Sequence, residues 1–285
     1  GQAGRHPRLP PNTLLSAPHP SFSEVPWRER SRVSASSTLV STSQARWRRC
    51  SWRTRARTSF ALIRPADRAW KARRTQRITG ASGALASSVA KSLAFSGVNV
   101  ALLTRNPNSI TSLVDDIIEG GGNAVAIEAD ILSESSLLTA KDKILERYGK
   151  IDILLNIAGG NLPGATVAPG QTIFDISMDD FNAVSKLNLN GTVIPSLIFG
   201  KVMADQREGV IINYSSMAVD RVITRVAGYS ASKAAMENFT RWMAVEMATK
   251  FGDNIRVNAI APGFFIGKQN KKLLMNDDGS YTERG

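Results

Sequence analysis

The sequence predicts an α/β fold for residues 78–285, with a doubly wound parallel sheet in a single domain. Short runs of Val, Ile and Leu alternate with longer amphipathic stretches along this region. Strands that are apolar on both faces are typical of a parallel sheet covered by helices on both sides. A turn of small residues, "TGASGALA" at 79–86, opens the first helical stretch. In such folds, ligands bind at the carboxyl ends of the strands.

The alternation predicts five strands and five helices in chain order. The first helix is the clearest, because Leu85, Val89 and Leu93 recur every four residues and so share one face. The predicted strands cover 98–103, 124–129, 151–156, 210–214 and 255–260. The predicted helices cover 84–96, 109–120, 134–148, 179–205 and 229–250.

The start of the region predicts a defect in the sheet. A central strand that feeds the turn at Thr79 should be apolar, but Ile78 is preceded by Gln76 and Arg77. Polar side chains without partners destabilise a core by roughly 1–3 kcal/mol each. We therefore expect the domain to lack a normal first strand.

Residues 1–77 differ in composition from the rest of the chain. They contain 17 Lys and Arg residues and three acidic residues, whereas residues 78–285 contain 19 basic and 21 acidic residues. The segment is rich in Arg, Ser and Pro and shows no sustained apolar period. We interpret it as disordered or non-native. There are two alternatives: a transit segment, or an arm that binds nucleic acid, in which Trp residues stand among Arg residues at 46–57. The near-neutral charge of the domain argues against nucleic acid as its own partner.

From residue 78 onward the chain contains no His and no Cys, since His6, His19 and Cys50 all precede it. These absences exclude a Ser-His-Asp triad, a Cys nucleophile, a disulfide and a His/Cys metal site from the domain. No apolar run reaches the roughly 18 residues that a membrane span requires. The composition predicts a soluble cytoplasmic protein without a membrane partner, or an organellar one if residues 1–77 are a transit segment.

A Tyr and a Lys stand four residues apart in "GYSASKAAMENF" at 228–239. On a helix, Tyr229 and Lys233 would share one face, about 6 Å apart along the axis. An ammonium beside a phenol favours the phenolate, so we expect Lys233 to lower the pKa of Tyr229. Tyr229 is then a candidate general acid/base for a hydroxyl or carbonyl. The spacing alone is weak evidence, because ordinary helices contain it often.

Five further stretches accompany this pair in a fixed order. They are "TGASGALA" at 79–86, "LNIAGGN" at 155–161, "KLNLNGT" at 186–192, "VIINYSSMA" at 210–218 and "IRVNAIAPGFF" at 255–265. Together the six resemble the short-chain dehydrogenase/reductase family over essentially all of 78–285. The resemblance implies a Rossmann-like fold and an NAD(P)-dependent oxidoreductase. It also implies a homo-oligomer and a C-terminal strand that the chain, which ends at Gly285, is expected to lack.

The resemblance implies a catalytic tetrad of Asn188, Ser216, Tyr229 and Lys233. Tyr229 would exchange a proton with the substrate oxygen, to which Ser216 would donate a hydrogen bond. Lys233 would lower the pKa of Tyr229 and hold the nicotinamide ribose, and Asn188 would position a water. Asn190 is close enough to be confused with Asn188, but the family spacing to the following glycine favours Asn188.

The resemblance also implies a dinucleotide site. Gly80 and Gly83 would let the backbone approach the pyrophosphate at a helix N-terminus. Thr104 and Arg105 stand where an acid would select NAD(H), and Arg105 can pair with a 2′-phosphate. NADP(H) is therefore favoured, with NAD(H) as the alternative. The implied cofactor-binding residues are Thr79, Gly80, Ser82, Gly83, Leu85, Thr104, Arg105, Asp130, Asn156, Ala158, Gly159, Tyr229, Lys233, Pro262 and Gly263.

Within the family, "AGGNLPGAT" at 158–166 and the stretch 261–285 resemble the D-mannonate oxidoreductase (fructuronate reductase) type. This likeness implies a sugar-acid or ketose substrate that is reduced at a keto group. Lys268 or Lys271 would meet the charge of the acid. The implied substrate-binding residues are Asn161, Ser216, Phe264, Gln269 and Asn270. The alternative is a non-catalytic nucleotide-binding protein or an inactive fragment of the same fold.

Overall fold

The computed structural model describes residues 75–263 and 271–282. Most of the segment 1–77 lies outside the described residues, so its interpretation stays a prediction. Part of the implied substrate site also lies outside them, namely Phe264, Lys268, Gln269 and Asn270.

Six strands of the described residues form one parallel sheet. They are β1 (Thr75–Thr79), β2 (Asn99–Thr104), β3 (Asn123–Glu128), β4 (Ile153–Asn156), β5 (Gly209–Tyr214) and β6 (Ile255–Ile260). Their order across the sheet is β3-β2-β1-β4-β5-β6. This order confirms the predicted doubly wound sheet. The winding reverses between β1 and β4, where such sheets bind their ligands.

Seven α-helices of the described residues connect or follow these strands. They are α1 (Ala84–Phe95), α2 (Thr111–Glu119), α3 (Glu134–Tyr148), α4 (Met178–Ser185), α5 (Gly191–Gln206), α6 (Ala227–Phe251) and α7 (Lys271–Leu274). The predicted helix 179–205 is divided into α4 and α5 by a π-helical turn, Lys186–Asn190. None of the helices in the described part of the chain combines the length and the apolarity that crossing a bilayer would need.

The strands contribute side chains to two cores, one on each face of the sheet. In β2, Val100 and Leu102 pack with α1 and α2, whereas Ala101 and Leu103 pack with α3, α5 and α6. Successive side chains of a strand point to opposite faces, so both sets are buried. The two-sided burial explains why the strands are almost continuously apolar in sequence.

The first strand is present, which corrects the prediction that the domain lacks one. Thr75–Thr79 lies at the centre of the sheet, between β2 and β4, and Gln76 and Ile78 are both buried. Parallel pairing uses backbone groups, so polar side chains do not prevent it. At the start of the strand, the Thr75 N–H donates to Asp152 Oδ2 (2.6 Å) and the Asp152 N–H donates to the Thr75 carbonyl (3.1 Å). The sheet therefore includes residues before the expected boundary at 78.

Candidate active site

The turn after β1 brings its backbone against the end of β4. Gly80 has a φ of +70°, in the left-handed region that favours glycine. A Cβ at this position would lie 2.8 Å from the Ala158 Cα, which is too close for any other residue. The Gly83 N–H donates to the Gly80 carbonyl (3.0 Å), and α1 begins directly after Gly83. The turn thus fits a pyrophosphate, because it exposes backbone N–H groups at a helix N-terminus.

Thr79 supports this turn from below. Its side chain is fully buried, and its Oγ1 accepts hydrogen bonds from the N–H groups of Ile157 (3.0 Å) and Ala158 (3.2 Å). The same hydroxyl lies 3.4 Å from the Leu155 carbonyl, to which it donates. Thr79 therefore joins the ends of β1 and β4, and its side chain does not face the crevice as a cofactor ligand would.

Asn156, another residue of the implied cofactor set, also lies below the crevice. It is 1% exposed, and its Nδ2 donates to Ser196 Oγ (3.0 Å) and Asn213 Oδ1 (2.9 Å). Asn213 Nδ2 donates in turn to Thr240 Oγ1 (2.8 Å). These polar groups tie β4 and β5 to α5 and α6. The prediction that Asn156 lines the nucleotide cleft is corrected, because its side chain stabilises the strand ends instead.

The residues expected near the adenosine follow β2 and β3 at the same edge of the sheet. Thr104 ends β2, and Arg105 after it is exposed, with no ion pair to any described carboxylate. Asp130 follows β3, and its Oδ1 accepts from the Leu132 N–H (2.9 Å). Ser82 is exposed and Leu85 is half-buried at the start of α1. Arg105 is therefore accessible to an anionic ligand at this edge.

At the end of β5, three consecutive residues contact one face of α6. The Ser216 hydroxyl faces the Tyr229 phenol and lowers its pKa. Lys233 Nζ donates to the Tyr214 carbonyl (2.6 Å) and lies 5.7 Å from the centroid of the Tyr229 ring. The structure thus brings together three residues of the implied tetrad at the carboxyl edge of the sheet.

Burial is the main cause of the pKa shifts of Tyr229 and Lys233 on α6. It raises the pKa of the Tyr229 phenol, and the hydrogen bond with Ser216 lowers that pKa by less. Burial also lowers the pKa of Lys233 to about 8. The expected net lowering of the Tyr229 pKa is therefore wrong for this structure. The Lys233 ammonium donates to a backbone carbonyl, and the phenol stays protonated at neutral pH.

Asn188, the fourth residue of the tetrad, lies in the π-helical turn between α4 and α5, and its side chain is fully buried. Its Nδ2 donates to the carbonyls of Gly160 (2.7 Å) and Val184 (2.9 Å), and its Oδ1 accepts from the Gly160 N–H (3.1 Å). The side chain thus holds the loop after β4 against the site. Its implied role in positioning a water stays a prediction.

Gly159 lies where Asn188 and Lys233 converge. A Cβ on Gly159 would be 2.7 Å from Asn188 Oδ1 and 3.1 Å from Lys233 Nζ. The amide oxygen and the ammonium therefore approach the same point of the loop after β4. All four residues of the implied tetrad lie around this point and the end of β5.

The described residues of the implied substrate site are only partly placed for binding. Asn161 is turned into its own loop, where its Nδ2 donates to Thr166 Oγ1 (2.6 Å). Its Oδ1 is buried and has no hydrogen-bond partner among the described residues. In this conformation Asn161 does not offer its amide to a substrate, contrary to the prediction. Pro262 is placed beside the end of β5, since its carbonyl accepts from the Met217 N–H (3.1 Å), and the exposed Gly263 follows it.

Glu237 belongs to the site but is absent from the sequence-based prediction. Ser215 Oγ donates to Glu237 Oε1 (2.5 Å), and Arg241 donates to Glu237 Oε2 (3.0 Å). Glu237 follows Tyr229 and Lys233 on α6 at a further step of four residues. Its position on their helix face is a sequence signal that could have found it.

Comparison with known proteins places the chain among short-chain dehydrogenases. Residues 75–277 match the sequence profile of the short chain dehydrogenase family. The uncharacterized oxidoreductase UxuB of Bacillus subtilis is 43% identical over 219 residues, which are 74% of this chain and 78% of UxuB. A Haemophilus influenza structure with bound NAD, provisionally named a D-mannonate oxidoreductase, gives a TM-score of 0.68 at 36% identity. That match covers 74% of this chain and 78% of the other.

A further solved structure contains the other dinucleotide. It is a protein from Beutenbergia cavernae, provisionally named an NAD(P) dependent gluconate 5-dehydrogenase, with NADP at low occupancy. It gives a TM-score of 0.62 at 29% identity and covers 71% of this chain and 76% of its own. The family profile spans the glycine turn, the Ser–Tyr–Lys cluster and the π-helical turn. The chain therefore belongs to the short-chain dehydrogenase/reductase family of NAD(P)-dependent oxidoreductases.

Proposed function

We propose that the protein interconverts a keto group and a hydroxyl group of a sugar acid, such as D-fructuronate and D-mannonate. The observation that carries the reaction is the placement of Ser216 and Lys233 beside the Tyr229 phenol, at the carboxyl edge of the sheet. The likeness to the H. influenza protein and the sequence at 158–166 support the substrate class. Fold alone would not support it, because one fold hosts many substrates.

The two hydroxyl groups are suited to act on one substrate oxygen. Because burial keeps the Tyr229 phenol protonated at neutral pH, it can donate a proton to the oxygen of a carbonyl that is being reduced. The Ser216 hydroxyl stabilises the negative charge that develops on the same oxygen. Lys233, whose Nζ lies 5.7 Å from the centroid of the Tyr229 ring, would hold the nicotinamide ribose beside the two hydroxyl groups. When bound, the dinucleotide supplies the hydride.

The proposed cofactor preference is for NADP(H) over NAD(H). Thr104 and Arg105 occupy the end of β2, where a carboxylate would bind the ribose 2′-hydroxyl and repel a 2′-phosphate. The exposed Arg105 guanidinium can bind that phosphate in a forked geometry. Gly80 lets the turn pack against Ala158, and α1 begins four residues later, so its N-terminus can attract the pyrophosphate of either dinucleotide.

Replacement of Tyr229 by Phe tests the chemistry. Because the variant lacks the proton donor, we expect kcat for D-fructuronate reduction to fall at least about 100-fold. Tyr214→Phe is the matched control, since it deletes the same atom from a half-buried Tyr but keeps the backbone carbonyl that binds Lys233. Thermal unfolding with excess NADP⁺ checks that both variants still fold and bind cofactor. If Tyr229→Phe turns over as fast as the wild type, the mechanism is contradicted. If the wild-type protein binds the cofactor but reduces no substrate, a non-catalytic nucleotide-binding protein is favoured instead.

Replacement of Arg105 by Gln tests the cofactor preference. We expect kcat/KM for NADPH to fall about tenfold or more and kcat/KM for NADH to stay within about twofold, because only NADPH carries the 2′-phosphate. Arg256→Gln makes the same charge change on an exposed residue near the start of β6, at the far end of the sheet from β2. A wild type that prefers NADH contradicts this assignment.

A further inference from the structure

A cavity of about 320 Å³ adjoins the Ser216–Tyr229 pair. Its lining includes Ala218, whose N–H donates to Ser216 Oγ (3.2 Å), and Ser230, the neighbour of Tyr229 on α6. Val167, from the loop after β4, also borders it. The cavity is therefore bounded by the segments that carry Ser216 and Tyr229, although neither of these residues lines it.

The charged residues that line the cavity favour an anion. They are Asp220, Arg221 and Arg225, which together carry a net charge of +1 at neutral pH. Arg221 and Asp220 are exposed and so are hydrated, whereas Arg225 is half-buried. No described carboxylate lies within ion-pair distance of Arg225. The same holds for Arg221, so what distinguishes Arg225 is that it is the less hydrated of the two cations.

The backbone and the side chain of Arg225 are both fixed in place. Its φ is +75°, a left-handed conformation that is uncommon for a residue with a side chain. The Arg225 carbonyl accepts from the Val167 N–H (3.0 Å), and Arg225 Nε donates to the Val167 carbonyl. Strained backbone of this kind persists where neighbouring contacts hold it, and it clusters at ligand sites. The two Nη groups keep their donors for another acceptor.

We propose that Arg225 binds the carboxylate of the substrate in this cavity and thereby selects acidic sugars over neutral ones. The inference rests on the proposed function, which it deepens by naming the specificity-determining residue. A guanidinium with Nε already bonded still presents two Nη donors, which a carboxylate can accept. The Ser230 hydroxyl, buried without a hydrogen-bond partner among the described residues, is a second donor at the same wall.

The test compares two substrates that differ only in the acid group. The rates of D-fructuronate and D-fructose reduction are measured for the wild type, Arg225→Gln and Arg225→Lys. Binding of D-mannonate in the presence of NADP⁺ is measured by calorimetry. We expect Arg225→Gln to lower kcat/KM for D-fructuronate about 10- to 100-fold, and to weaken the binding of D-mannonate by a similar factor. The kcat/KM for D-fructose should stay within about threefold of the wild-type value, because D-fructose has no carboxylate. Arg225→Lys keeps the charge and should recover part of the loss. Arg256→Gln, an exposed arginine of β6 outside the cavity, is the matched control and should change each value by less than about threefold.

Each outcome separates this inference from the proposed function. If the wild type reduces D-fructuronate and Arg225→Gln does so equally well, or Arg256→Gln loses as much, the assignment of Arg225 is overturned and the function stands. If the wild type reduces no keto acid but binds D-mannonate in an Arg225-dependent way, the function is overturned and the carboxylate site stands. If it neither reduces nor binds these acids, both are overturned. If Arg225→Gln does not fold, Arg225→Met takes its place, and a wild-type kcat/KM for D-fructuronate in that uncharged variant overturns the inference.

Discussion

Gly159 packs so closely against the site that even the methyl group of an alanine would disturb it. In Gly159→Ala the new Cβ would lie 2.7 Å from Asn188 Oδ1 and 3.1 Å from Lys233 Nζ. Lys233 can shift its flexible end, but Asn188 is held by three hydrogen bonds. We therefore expect the loop after β4 to move and kcat to fall about 10- to 100-fold, as misplaced catalytic groups do.

Gly160→Ala is the matched control for this prediction. A Cβ on Gly160 would meet no atom within 4 Å, so the adjacent substitution should keep kcat within about threefold. Steady-state kinetics of both variants, with thermal unfolding as a check on folding, measures the difference. Equal activity in the two variants would show that the convergence of Asn188 and Lys233 on Gly159 is not needed for catalysis.

At the scale of elements, the site depends on the contact between β5 and α6. The end of β5 presents Tyr214, Ser215 and Ser216 in sequence, and α6 meets them with Lys233, Glu237 and Tyr229 respectively. The sequence predicts this helix to within two residues, because its Tyr–Lys spacing and its amphipathic period agree. It does not predict the π-helical turn that carries Asn188, since no residue type marks the one extra residue per turn.

The first strand shows the limit of hydrophobic patterning. The apolar runs of β2–β6 predict five strands, with bounds within two residues of those observed. β1 has too few apolar residues to be recognised, yet it forms because β2 and β4 offer backbone partners on both sides. Tertiary context here overrides local composition. The positive φ of Arg225 is likewise set by its contacts with Val167 and carries no sequence signal.

β1 still contains a polar atom that destabilises the fold. Gln76 is 3% exposed, and its Oε1 has no hydrogen-bond partner within the described chain. Gln76→Met keeps the length of the side chain and removes this atom, so we expect the free energy of unfolding to rise by about 1–2 kcal/mol. Gln76→Glu, which buries a charge at the same place, should lower it. Urea unfolding measures both changes, and a loss of stability in Gln76→Met would mean that the amide is satisfied in solution.

At the scale of the whole molecule, the site exists only when the sheet is assembled. Its groups come from β1, β4, β5, the π-helical turn and α6, so their burial is lost together when the domain unfolds. The ionisation of the most buried cation in the site, Lys233, is therefore linked to global stability. The pH dependence of unfolding therefore reports on the burial of Lys233 without substrate or cofactor.

The pH dependence of stability should report the burial of Lys233. Its pKa is about 8 in the folded protein, below the ordinary lysine value of 10.5, so between these values the unfolded chain binds more protons than the folded protein. The free energy of unfolding should therefore rise with pH from 8 to 10, by up to about 2–3 kcal/mol at 1.4 kcal/mol per pH unit. Above pH 10 the raised pKa values of Tyr214 and Tyr229 act in the opposite direction, so the window ends there. Lys233→Met should remove this rise in urea unfolding, and Lys201→Met, which replaces an exposed lysine, should keep it. An equal slope in the wild type and Lys233→Met would mean that Lys233 is solvated in the folded protein.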